Sequence, residues 1–178
     1  MASDDKANVS GKVMGAAKKA ASWLSGETGI LATLKQEHGE VSALMGKVVA
    51  TEGKDNASRE RQQVFQQVRR ELLAHARGEE REFYPRLLQF PETEPLARQS
   101  MNEHQDIEAL LEQLARMDDT DAGWMNTFRA LRDNVQHHVK EEENDLFPRV
   151  ADVLDKDRLR EMNDGYEQVH RAELSALS

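Results

Sequence analysis

The chain has 178 residues, which suits one domain with a sizeable core. Its formal net charge of −9 argues against a nucleic-acid partner, because binding to phosphate needs a basic surface. The absence of cysteine excludes disulfides and thiolate metal sites. Charged residues make up 32 % of the chain and aromatic residues 5 %, a composition that predicts a mostly helical protein.

The N-terminal region, residues 1–26, differs from the rest of the chain. It is rich in small residues and lysines, with apolar residues at helical spacing, and Gly11 and Gly15 weaken a helix there. It lacks the apolar core of a signal peptide, and no run in the chain approaches the roughly 20 apolar residues that span a bilayer. We therefore expect a cytoplasmic location. Residues 1–26 are predicted to form an amphipathic tail or short helix, either loosely docked or touching a partner or a membrane surface.

Longer segments with apolar residues at steps of three and four follow, as expected of helices that face a core. Short loops separate them, so consecutive helices should be antiparallel neighbours. The sequence therefore predicts an all-α fold. It is an up-down-up-down four-helix bundle over residues 27–155, with a C-terminal helix within 156–178 packed on it. The predicted helices cover residues 28–51, 58–89, 92–117, 121–154 and 157–177.

The bundle contains an internal repeat. The segment "QEHGEVSALM" at 36–45 matches "NEHQDIEALL" at 102–111. Each is followed by a second matched pair, "HARGEEREFYP" at 75–85 and "HVKEEENDLFP" at 138–148. The bundle should thus consist of two similar helical hairpins.

Each core-facing stripe carries one histidine, and two stripes carry a glutamate four residues later, on the same helix face. Counting about 1.5 Å per residue from the helix ends places the four histidines within about one turn of a common layer. Buried charges cannot stay unpaired without a cost of several kcal/mol, so a metal site is the simplest explanation. The residues concerned are His38, His75, Glu79, His104, His138 and Glu142.

Imidazole and carboxylate together suit iron, zinc or manganese, and two carboxylates suggest two metals rather than one. The order His-x-x-x-Glu differs from the Glu-x-x-His of ferritin-like di-iron bundles. The chain has no His-Glu-x-x-His zinc protease motif and no glycine-rich phosphate loop.

On these residues the chain resembles the hemerythrin-like, HHE cation-binding family over about residues 28–155. The resemblance rests on "EH" at 37–38 and 103–104 and on the two His-x-x-x-Glu segments that end in "FYP" and "LFP". It implies a non-haem centre of two iron ions. One iron would be held by His38 and His75 and the other by His104 and His138, with both irons bridged by Glu79 and Glu142.

One position departs from the oxygen carriers of this family, which have two histidines one turn apart on the third helix. This chain has only His104 there, with Ser100 and Glu108 one turn to either side. Either the iron at that end has an open position, or Glu108 is an additional ligand.

The resemblance implies binding, sensing or delivery of a small diatomic ligand, with oxygen favoured over nitric oxide. Two alternatives remain open: an enzyme that reduces peroxide, nitric oxide or oxygen at the same irons, and a protein that buffers or donates iron. We expect the glutamates beside the bridging pair, including Glu80 and Glu143, to lie on the solvated face. We expect Pro85 and Pro148 to kink or stop their helices.

Overall fold

The computed structural model describes residues 28–54 and 57–177, so the predicted tail or helix over 1–26 lies outside the described residues. The described residues form helices joined by short connections, which confirms the predicted all-α helical bundle. Two π-helical segments, Glu79–Phe83 and Glu142–Leu146, each connect one α-helix to the next. The α-helices are α1 Ile30–Val49, α2 Ser58–Gly78, α3 Tyr84–Leu87, α4 Glu94–Arg116, α5 Trp124–Glu141, α6 Phe147–Val153 and α7 Lys156–Ala176.

The helices pair as two hairpins, α1 with α2 and α4 with α5, and the hairpins meet through α1 with α5 and α2 with α4. Helix α7 packs against α1 and α2. Within residues 28–54 and 57–177, no helix combines the length and the hydrophobicity needed to cross a membrane.

The core is divided into two apolar clusters. One, around Phe65, Leu111 and Trp124, fills the end of the bundle where α1 joins α2. The other, around Leu34 and Phe83, fills the opposite end and includes residues of α7. A layer of buried histidines and glutamates lies between them along each helix. Apolar packing on both sides therefore removes this polar layer from water.

Each π-helical segment begins at a glutamate and ends just before a proline-containing turn. The N–H of Tyr84 donates to the carbonyl of Glu79, five residues back, and that of Phe147 donates to the carbonyl of Glu142. In an α-helix the ring of Pro85 would clash with the carbonyl four residues back, and the wider π turn accommodates it. The expected kink or stop is therefore a local widening through which the helix continues.

Helix α7 approaches the bundle closely at two glycines. Gly29, just before α1, has φ of 65°, and a Cβ there would come within 2.4 Å of the Leu159 backbone. A Cβ on Gly78 would lie 2.5 Å from the ring of Tyr166. The absence of side chains at both glycines lets α7 dock against the hairpin of α1 and α2.

Candidate metal centre

All six residues singled out by their spacing lie in one buried layer. The histidines are between 3 % and 7 % exposed, and both glutamates are fully buried. Helices α1, α2, α4 and α5 contribute one histidine each, and the glutamates come from the first positions of the two π-helical segments. The structure thus brings together His38, His75, Glu79, His104, His138 and Glu142, as the helix counting predicts.

The Nε2 atoms of the histidines face the two glutamates at the centre of the layer. Oε2 of Glu79 lies 3.1 Å from Nε2 of His75 and 3.3 Å from Nε2 of His104. Oε2 of Glu142 lies 3.5 Å from Nε2 of both His38 and His138. Each glutamate therefore contacts one histidine from each hairpin.

The Nδ1 atoms face outward, and each meets a further carboxylate. Within the hairpins, Glu37 lies 2.9 Å from Nδ1 of His75, and Glu103 lies 2.9 Å from Nδ1 of His138. Between the hairpins, Oε1 of Glu143 lies 2.8 Å from Nδ1 of His38. A carboxylate on one ring nitrogen fixes the tautomer and orientation of a histidine and makes the other nitrogen a better metal ligand.

The fourth histidine follows the same pattern at a longer distance. Oε1 of Glu80 lies 3.6 Å from Nδ1 of His104, beyond hydrogen-bond distance. The expectation that Glu80 and Glu143 lie on the solvated face is therefore wrong. Their side chains are 27 % and 31 % exposed and they contact the buried histidines.

The carboxylates control the protonation of this layer when no metal is present. Burial lowers the pKa of His104, but its contacts with Glu79 and Glu80 outweigh burial and raise that pKa to about 9. For His75, burial is likewise outweighed by Glu79 and Glu37, and the pKa is raised well above its usual value. Burial raises the pKa of Glu103, but hydrogen bonds with His138 and Gln99 lower it to about 2.

Several atoms at the centre are buried without a hydrogen bond, although they lie at ion-pair distance from one another. They include Nε2 of His38, Nε2 of His75 and Oε2 of Glu142. Buried polar atoms normally have partners, so these atoms are suited to hold an ion. Six carboxylates also face four imidazoles in and around the layer, so negative charge is in excess. Both observations fit a bound cation.

Glu108 and Ser100, which lie one turn to either side of His104, have different environments. The carboxylate of Glu108 pairs with Arg77 at 2.7 Å, and its side chain is 37 % exposed. It therefore does not join the buried layer. Ser100 is buried beside the hydroxyl of Tyr84. That hydroxyl lies 3.2 Å from Nε2 of His104 and donates to Oε1 of Glu142 at 2.8 Å.

Tyr84 makes the two halves of the centre different. Tyr84 is the middle residue of "FYP", and the corresponding residue of the second repeat is Phe147 in "LFP". The ring of Tyr84 lies 5.4 Å from that of His104, and the ring of Phe147 lies 6.1 Å from that of His38. The hydroxyl is therefore one chemical difference between the two halves of the centre. Comparing "FYP" with "LFP" could have revealed it from the sequence.

A small cavity of about 20 Å³ adjoins the four histidines on the side of the first apolar cluster. Apolar side chains contribute much of its lining, among them Val41, Leu72, Ile107 and Val135. By the usual size criterion it admits one molecule little larger than water.

Larger clefts reach the layer from outside. One, of about 290 Å³, includes Glu37, His75 and His170 in its lining, and another, of about 230 Å³, includes His38, Arg132 and Lys140. The histidine beside the layer, His137, is 61 % exposed and forms a surface group with Glu103 and Glu141. The two clefts therefore approach the buried layer at His75 and at His38.

Comparison with known proteins gives three findings. A model of the Hemerythrin HHE cation binding domain matches residues 29–150. A DNA nickase from Nostoc sp. (strain PCC 7120 / SAG 25.82 / UTEX 2576) is 27 % identical over 125 residues, or 70 % of this chain and 34 % of that protein. The chain thus spans about a third of that relative's length.

A crystal structure of a hemerythrin HHE cation binding domain-containing protein from Mycobacterium kansasii, the homologue of Rv2633c, superposes with a TM-score of 0.72. The two chains are 23 % identical, and the superposition covers 84 % of this chain and 90 % of that one. At this identity the likeness concerns the fold. The family model covers well over half of the chain and includes all six residues of the buried layer. The chain therefore belongs to the hemerythrin HHE cation-binding domain family.

Proposed function

We propose that the protein holds two non-haem iron ions and binds a small diatomic ligand, with oxygen as the favoured one. One observation carries the proposal: two groups of ligand atoms converge, each within 4.8 Å, and they share Glu79. Two adjoining groups with a common carboxylate are the arrangement that two metals joined by a bridge require. The first group contains His38, His75, Glu79 and Glu142, and the second contains Glu79, His104 and His138.

The contacts support a role for each residue. His38 and His75 would hold one iron, and His104 and His138 the other. Glu79 and Glu142 would bridge them, because each glutamate contacts one histidine of each pair. Imidazoles with carboxylates suit iron. A ferrous pair held there would supply electrons to a bound diatomic ligand.

Tyr84 would be a further ligand of the iron held by His104 and His138. Its hydroxyl lies within 3.3 Å of both His104 and the two glutamates. Without a cation, burial and the charges of Glu142 and Glu79 raise the pKa of Tyr84 well above its usual range, so the phenol stays protonated. A nearby cation reverses this effect and favours the phenolate. Tyr84 thus fits the place of the absent histidine better than Glu108 does.

The cavity beside the histidines supports a diatomic ligand. At about 20 Å³ it is too small for an organic substrate, and its apolar lining favours an uncharged molecule over water. The side chains of this chain would exclude bulk water from the ligand and hold the histidines in fixed orientations.

A second candidate function is reduction of peroxide, nitric oxide or oxygen. The observation that favours it is the buried hydroxyl of Tyr84, which donates a hydrogen bond to Glu142 and can supply a proton inside the site. Buffering or donation of iron is the third possibility, favoured by the cleft of about 290 Å³ that leads to His75.

The test is anaerobic reconstitution of the full chain with ferrous iron, followed by metal analysis and then by addition of oxygen. We expect about two irons per chain and an absorption change that reverses when oxygen is removed. Continuous consumption of added peroxide or nitric oxide would instead support the enzyme, and release of iron on oxidation would support iron handling. One metal per chain, or zinc in preference to iron, would contradict the di-iron proposal.

A further inference from the structure

Helix α7 brings a tyrosine to one of the carboxylate–histidine pairs. The hydroxyl of Tyr166 donates to Glu37 and lies 3.0 Å from Nδ1 of His75. Glu37 also lies 2.9 Å from the same Nδ1 atom. The three side chains therefore form one network at the outer face of His75.

The position of Tyr166 is specified by its surroundings. Its side chain is fully buried, and a Cβ on Gly78 would come within 2.5 Å of its ring. The ring of His170 stacks on it with centroids 5.6 Å apart and planes 15° apart. The hydroxyl is therefore held against Glu37 by packing on two sides.

The corresponding pair in the other hairpin has a different environment. Glu103 contacts His138 and accepts from the side-chain amide of Gln99 at 3.1 Å, on the exposed side of α4. Within residues 28–54 and 57–177, no tyrosine contacts that pair. The phenol of Tyr166 therefore distinguishes His75 from His138.

We propose that Tyr166 is a positioning residue that raises the reduction potential of the iron held by His38 and His75. The inference rests on the proposed di-iron function. A hydrogen bond donated to Glu37 makes that carboxylate less basic, so it draws the Nδ1 proton of His75 less strongly. The imidazole would then give less electron density to an iron bound at Nε2. The ferrous state would be favoured over the ferric state, which means a higher reduction potential.

The test is a potentiometric titration of the iron-loaded full chain, followed by absorption and electron paramagnetic resonance. In Tyr166→Phe the ring remains and only the hydroxyl is lost, so one of the two reduction steps should move to a more negative potential. In Glu37→Gln the partner of His75 is neutral, so the same step should move to a more positive potential. Damage to packing alone would not move that step in opposite directions in the two variants.

Thr33→Val is the matched control. It removes a hydrogen bond between α1 and α7, from the Thr33 hydroxyl to Asn163 at 2.6 Å, without touching Glu37. Both potentials should stay at their wild-type values in this variant. Thermal melting of the metal-free variants shows whether each one folds. If Tyr166→Phe does not fold, replacement of Tyr166 by 3-fluorotyrosine decides, because its more acidic phenol donates more strongly to Glu37 and should move the same step to a more positive potential.

The failures of the two proposals are distinguishable. Two irons in the wild type, with both potentials unchanged in Tyr166→Phe, would overturn the role of Tyr166 and leave the di-iron centre standing. A wild-type protein without two redox-active irons would overturn the proposed function, and this inference with it.

Discussion

The stability of the metal-free protein should fall as the pH rises from 6.5 to 9. The pKa of His104 is raised to about 9 in the folded protein, against 6.5 in the unfolded chain. Because the folded value is the higher one, protonated His104 stabilises the fold below about pH 6.5, and this contribution is lost as the pH rises through 9. A difference of about 2.5 units corresponds to a loss on the order of 3 kcal/mol.

Two more histidines act in the same direction, since the pKa values of His38 and His75 are also raised. The assay is urea unfolding of chelator-treated protein at pH 6.5 and pH 9. His104→Gln is the comparison variant, because it removes one of the titrating groups and should make the pH dependence smaller. Equal free energies of unfolding at the two pH values, or a larger one at pH 9, would refute this reasoning.

Three further predictions concern single substitutions. Glu142→Ala should lower the iron content of the reconstituted protein by removing a bridge, whereas Glu112→Ala, on the exposed face of α4, should not. Tyr84→Phe should keep the iron but change its visible absorption spectrum, because a phenolate ligand is lost. Gly78→Ala should destabilise the protein by about 1–3 kcal/mol, because its Cβ overlaps an aromatic ring. Gly39→Ala, which meets nothing within 4 Å, should stabilise it by about 0.5–1 kcal/mol, as measured by thermal or urea unfolding.

Each of these predictions has an outcome that contradicts it. Equal iron in the two glutamate variants would remove Glu142 from the centre. An unchanged spectrum in Tyr84→Phe would mean that the phenol does not bind the metal. Equal effects of the two glycine substitutions on the free energy of unfolding would show that α7 does not dock closely at Gly78.

The helix stripes and the level of the polar layer could be predicted because they depend on local periodicity. Steps of three and four fix which residues face inward, and helix length fixes their depth, so His38 and His104 could be aligned with His75 and His138 before the fold was known. The same reasoning predicts the C-terminal helix, observed over Lys156–Ala176.

The outer contacts of the histidines could not be predicted in this way. Glu143 and Glu80 are adjacent in sequence to Glu142 and Glu79 and so were expected to face solvent about 100° around the helix. A neighbouring helix approaches each of them from the other hairpin, and periodicity within one helix contains no information about that approach. Tyr166 escapes prediction for the same reason, since its partner Glu37 is more than a hundred residues away in the chain. The π turns were not predicted either, because Pro85 and Pro148 were expected to kink or stop their helices.

The contacts between a glutamate of one hairpin and a histidine of the other suggest an origin for the chain. Each hairpin supplies a glutamate for a histidine of the other: Glu143 for His38, and Glu80 for His104. Two copies of one hairpin, related by a two-fold axis, would provide the same set of pairs. An ancestral peptide of half this length could therefore have formed the centre as a homodimer, before duplication joined the halves. A tyrosine at one half and a phenylalanine at the other, as at Tyr84 and Phe147, becomes possible only after that joining, because identical subunits carry the same residue twice.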